Sequence, residues 1–188
     1  DSAAVGCHAA EHLLARGHDR LCVINPVSCW AAAAERAAAF VACGRLNGHD
    51  VIHLSGTRCE KGWEEDSAID CHDHRGAVCE AVGRAFLDLS PRPTGLFVTS
   101  DAIAAIMCRI LGQAGIVIGR DVEVVSCNND QDALRPLVPR PLTYDLQGYE
   151  IGRQAVEVAA ARAVGTLRLP RVRIEVAPIP VLPPPAAD

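Results

Sequence analysis

Aromatic side chains are scarce in this sequence: three Phe, two Trp and two Tyr make up 4% of 188 residues. A core of this size must therefore be built from Ala, Val, Leu and Ile, which suits close helix-on-sheet packing. Positive charge is not in excess either, with 18 Lys and Arg against 23 Asp and Glu and a net charge of −5. That balance excludes a free-standing surface for nucleic acid or acidic lipid. No apolar run approaches the roughly 18 residues a membrane span needs, and no basic-then-apolar leader is present. Glycine-rich phosphate cradles and a Gly-x-Ser-x-Gly nucleophile elbow are missing. Nine cysteines occur, yet no two are spaced Cys-x-x-Cys. Most of them fall in apolar stretches and read as reduced, buried small hydrophobes of a cytosolic protein.

What is present is a repeating alternation of helical and strand signals. Residues 2–16 have helical spacing, with Gly17 as a stop. Residues 20–25 form an apolar strand broken by Pro26, and an Ala-rich helix runs from 30 to 46, ended by Gly48. A shorter strand at 51–54 leads to a charged loop expected at 55–69, then a helix at 74–89. The stretch 92–130 organises the rest. Gly95-Leu-Phe-Val-Thr99 is a buried strand, and Ser100-Asp101 caps a helix carrying Ile103, Ile106, Met107, Ile110 and Leu111 on one face. Gly115 ends that helix before a strand at 122–125. The two strands of such a unit are parallel and end on one edge of the sheet, where ligands of open α/β sheets bind. Ser100, Asp101, Asn128 and Asn129 belong to that edge. Further on, a short strand or crossover is expected at 142–145, a long helix at 149–164 and a terminal strand at 172–176. The proline-rich tail is expected to be disordered. The pattern as a whole predicts an α/β fold with a doubly wound parallel sheet.

Several segments also carry a family likeness. Glu11-His-Leu-Leu-Ala-Arg-Gly-His18, Glu35-Arg-Ala-Ala-Ala-Phe40, the run from Pro93 to Ala104, Val124-Val-Ser-Cys-Asn-Asn129, and Pro141-Leu-Thr-Tyr-Asp-Leu146 with Ile151-Gly-Arg153 occur in a matching order and spacing. Together they resemble the effector-binding region of the lactose/galactose repressor family of bacterial transcription regulators. The resemblance implies a type I periplasmic-binding-protein-like fold: a near-complete C-terminal lobe at 20–144 and 169–180, part of the N-terminal lobe at 1–19 and 145–168, and a disordered tail at 181–188. It also implies a small-molecule effector held between lobes, a homodimer, a cytoplasmic location, no catalysis and no cofactor. Operator DNA would be read by an upstream segment, which this sequence does not contain. A first residue other than Met likewise leads us to expect a longer protein.

By the resemblance, Arg36 is the ligand-contacting arginine, Ser100 and Asp101 the polar pair after the motif strand, and Asn128 a position that is often aspartate. Trp63 is placed in the site by position alone. Read from chemistry, Arg36 offers a planar fork of donors to hydroxyls, and Asn128 offers both an acceptor and donors. Asn129 suits a turn, Asp101 suits the positive end of a helix, and Trp63 suits either stacking on a sugar face or anchoring its loop. The cluster Cys71-His-Asp-His74 has adjacent rather than separated ligands, so no metal site is expected. The expected effector is a neutral carbohydrate or similar polyol, bound by the sensing region of a repressor. The alternative is a periplasmic sugar-binding protein of an ABC uptake system.

Overall fold

The computed structural model describes residues 1–27, 30–56 and 67–183, and the side chains of 67–75 lie outside that description. Its elements alternate as α1 (Ser2–Ala15), β1 (Arg20–Asn25), α2 (Ala31–Leu46), β2 (Asp50–Ser55), α3 (Ser67–Leu87), β3 (Gly95–Val98), α4 (Asp101–Gln113) and β4 (Glu123–Cys127). A single helical turn, α5 (Gln131–Leu134), then β5 (Leu142–Asp145), α6 (Gly148–Ala163) and β6 (Ile179–Val181) complete the chain. The six strands form one sheet in the order β2-β1-β3-β4-β5-β6. All neighbours are parallel except β6, which runs antiparallel to β5. The order reverses between β1 and β3, so a crevice opens there at the carboxyl ends of the strands.

Successive strand residues face opposite sides, and the apolar runs fill both. Leu21, Val23 and Phe97 meet Val5, Ala9, Leu13 and Phe40 of α1 and α2 on one face. Cys22, Ile24, Leu96 and Val98 meet Phe86, Met107 and Leu111 of α3 and α4 on the other. With so few aromatic residues, the stacked pair Phe40–Phe97, at 5.2 Å between ring centroids, anchors the first face. Small residues then let the helices approach closely. At Gly6 an added Cβ would stand 2.2 Å from the Arg36 carbonyl oxygen, so α1 lies directly on α2.

The structure corrects four expectations. Residues 1–19 do not stand apart from this lobe: Val5, Ala9, Ala10 and Leu13 of α1 are fully buried against its sheet and α2. The loop expected at 55–69 is shorter, because β2 includes Ser55 and α3 begins at Ser67. Residues 172–176 alternate in sequence but form no strand. The last strand is Ile179–Val181, running into the stretch expected to be disordered from 181 on, because the open edge of β5 supplies its hydrogen-bonding partner. Val181, placed in the disordered tail, is thus the last residue of β6.

α6 contrasts with the other long helices, having no buried residue at all. Ile151, Ala155 and Val158 face residues 172–176 across an apolar groove of about 570 Å³. Among the described residues no helix is long and apolar enough to cross a membrane.

Candidate functional site

The carboxyl ends of β1, β3 and β4 and the amino ends of α2 and α4 enclose a cavity of about 450 Å³. β1 contributes Asn25, and Thr99 and Ser100 follow β3. Asn128 follows β4, and α2 contributes Ala31–Ala33 and, one turn on, Arg36. Ser100 is also the N-cap of α4, its hydroxyl accepting from the Ile103 N–H at 3.4 Å. Its extended backbone (φ −160°, ψ 153°) is what turns the chain from strand to helix at the cavity wall.

Arg36 is 7% exposed. Its Nη1 donates to the Thr99 carbonyl at 2.9 Å, to Asn128 Oδ1 at 3.2 Å and to Cys127 Sγ at 3.2 Å. Every one of these acceptors is neutral. Nε is buried with no hydrogen-bond partner. An arginine carries five donors and always a charge, so this guanidinium is under-satisfied where desolvation is most costly. Burial pushes the thiol of Cys127 beside it up to about 12, against the opposing pull of Arg36, which disfavours the thiolate. The thiol donates to the Thr99 carbonyl at 3.1 Å.

Asn128 has φ 114° and Asn129 φ 56°, backbone geometry that asparagine tolerates better than most residues. The two then diverge. Asn128 turns toward Arg36 and the cavity. Asn129 is a turn residue, donating through Nδ2 to Asp145 at 3.1 Å and through its backbone to Thr143 Oγ1 at 3.3 Å.

Asp101, expected as a ligand contact, does not line the cavity and is fully buried. It accepts from Ser126 Oγ at 2.5 Å, Thr143 Oγ1 at 2.8 Å and the Asp130 N–H at 2.7 Å. Burial still outweighs these donors and raises its carboxyl above the ordinary aspartate value. Its task is to tie α4 to the ends of β4 and β5. Trp63 lies outside the described residues, and so do the side chains of Cys71, His72, Asp73 and His74.

Sequence reasoning missed Asn25, Thr99, Trp30 and the amino end of α2. The signal for them was the reversal of strand order at β1/β3, which a sequence does not display. Of the expected residues, Arg36, Ser100 and Asn128 share the cavity.

An open doubly wound sheet with a polar crevice at its switch point is the architecture of one lobe of a periplasmic-binding-protein-like receptor. The chain belongs to that family: its model, the periplasmic binding protein-like domain, matches residues 10–181. Structures of LacI-family transcription regulators match over most of the chain. The transcriptional regulator CelR in complex with cellobiose is 20% identical, with TM-score 0.74, over 97% of this chain and 51% of that one. A LacI-family regulator from Enterococcus faecium with bound ribose is 20% identical, with TM-score 0.68, over 90% and 57%. One from Silicibacter pomeroyi is 23% identical, with TM-score 0.75, over 97% and 51%. The chain therefore spans little more than half the length of these relatives. Among proteins with curated functional descriptions, none matches the sequence.

Proposed function

We propose that this chain is the effector-sensing lobe of a LacI-type transcription regulator, a repressor that binds a carbohydrate without catalysis. The observation that carries the reading is the cavity at the switch point. Its lining of Arg36, Asn128, Asn25, Thr99 and Ser100 matches hydroxyl groups with donors and acceptors. Two similar regulators, one in complex with cellobiose and one with bound ribose, support the ligand class.

In this reading residues 145–168, whose helix buries nothing here, belong to a second lobe, and the effector lies between the two. Closure on the effector shifts a homodimer between two arrangements of DNA-binding segments outside this chain, through differential affinity for the two states. The location is the cytoplasm. Cys7, Cys22, Cys43, Cys108 and Cys127 are free thiols, which favours a reducing compartment over that of an uptake receptor.

Titration calorimetry of the full-length protein with a panel of sugars tests the reading. At least one sugar binds, and Arg36→Ala lowers its affinity on the order of 100-fold while thermal unfolding stays cooperative. Unchanged affinity in Arg36→Ala removes this cavity as the effector site.

A further inference from the structure

Two features of the cavity wall share an electrostatic sign. The first is the amino end of α2, a helix of sixteen residues whose first turn lines the cavity. A helix start carries partial positive charge and unsatisfied N–H groups. At this one the N-cap residue Trp30 makes no side-chain cap bond, and no acidic residue occupies the first turn. α4, which opens on the same cavity, differs in both respects: Ser100 caps it, and Asp101 stands in its first turn.

The second feature is independent of the first. Arg36 is more than nine-tenths buried, lines the same cavity, and has only neutral acceptors and one buried nitrogen without a partner. Among the described residues no carboxylate pairs with it. Asp101, the buried acid of this edge, is held by Ser126, Thr143 and the Asp130 N–H. Nη1 makes all of the Arg36 hydrogen bonds to described residues, which leaves Nη2 for a ligand. A buried cation of this kind is most stabilised by an anion that brings its own charge-assisted hydrogen bonds. The amino end of a helix adds to the same preference.

We propose that the effector is a sugar acid, a polyhydroxylated molecule whose single carboxylate sits at the amino end of α2 beside Arg36. The proposal rests on the carbohydrate reading above and replaces its neutral polyol with an anionic one. A monocarboxylate fits better than a phosphate ester, because no glycine-rich loop is present to wrap a phosphate. Asn128, Asn25, Thr99 and Ser100 are then left for the hydroxyls.

Matched pairs test this in the full-length protein by titration calorimetry at fixed ionic strength: glucuronate against glucose, galacturonate against galactose, and gluconate against glucitol. In at least one pair the acid binds tenfold or more tightly than its neutral counterpart. Asn128→Asp, which sets a carboxylate against Arg36, lowers that ratio at least tenfold, with the thermal midpoint followed to show that the variant is folded. Neutral sugars that bind as well as the acids overturn the proposal and leave the carbohydrate reading intact. Binding by no member of the panel overturns both. An acid preference untouched by a folded Asn128→Asp variant overturns the placement of the carboxylate beside Arg36.

Discussion

Two charged residues are buried at the same end of the sheet, and they are treated in opposite ways. Asp101 is surrounded: two hydroxyls and a backbone N–H converge on its carboxylate, from β4, β5 and the turn between them. Arg36 is left with three neutral acceptors on a single nitrogen and an Nε that bonds to nothing. A charge saturated by its own fold is a structural tie, because nothing is left to offer a ligand. A charge that the fold leaves short of partners can still take one from a ligand. The cavity lies on the side of Arg36.

The contrast breaks most visibly at Asp101. Asp101→Ala leaves the buried Ser126 and Thr143 hydroxyls and the Asp130 N–H without their acceptor, and at about 1–3 kcal/mol per buried hydroxyl the expected loss is about 4 kcal/mol. Urea unfolding measures it, and a loss below about 1 kcal/mol would show that the carboxylate is no tie. Next in size is Gly6→Ala. Alanine normally favours a helix by about 1 kcal/mol. Here its Cβ would stand 2.2 Å from the Arg36 carbonyl, so α1 and α2 must separate. The net expected loss is about 2 kcal/mol, accompanied by weaker effector binding as Arg36 moves with its helix.

Glu123, on the opposite edge of the sheet, sharpens the comparison as a second saturated charge. Burial pushes its carboxyl up, but hydrogen bonds from His18 at 3.0 Å, Arg16 at 2.6 Å and His12 at 2.9 Å outweigh burial and hold it below the ordinary glutamate value. A carboxyl lowered by folding adds stability above its unfolded pKa of 4.5 and loses that stability as pH falls through the lower folded value. Wild type should therefore exceed Glu123→Gln in stability at neutral pH, and the gap should close below pH 4.5. A pH-independent gap would mean that packing, not charge, is what the variant loses. The smallest effect on folding belongs to Arg36. Arg36→Met removes a buried charge that has no counter-ion among the described residues, and its expected cost is under about 1 kcal/mol. A loss as large as that of Asp101→Ala would erase the distinction between the two residues.

Much of this was legible beforehand, and the exceptions share a cause. Apolar runs and glycine stops located β1, β3 and α4 because those signals are local: Gly17, Gly48 and Gly115 all adopt the positive φ that ends their helices. The resemblance singled out Arg36, Ser100 and Asn128, which line one cavity. Asp101 misled because a carboxylate after a cap reads the same whether it faces a ligand or the core. The hydroxyls that capture it come from Ser126 and Thr143, 25 and 42 residues away. The amino end of α2 was missed because its place depends on β1 lying beside β3, a long-range pairing. Likewise 172–176 alternates like a strand, but alternation names a face and not a partner.

The most direct test of the central claim is a crystal structure of the full-length protein with its tightest-binding sugar. The account predicts that the sugar lies in the cavity at the carboxyl ends of β1, β3 and β4, within hydrogen-bond distance of Arg36 and Asn128, with Asp101 still held by Ser126 and Thr143. A sugar bound elsewhere, with Arg36 making only the bonds it makes now, would contradict it.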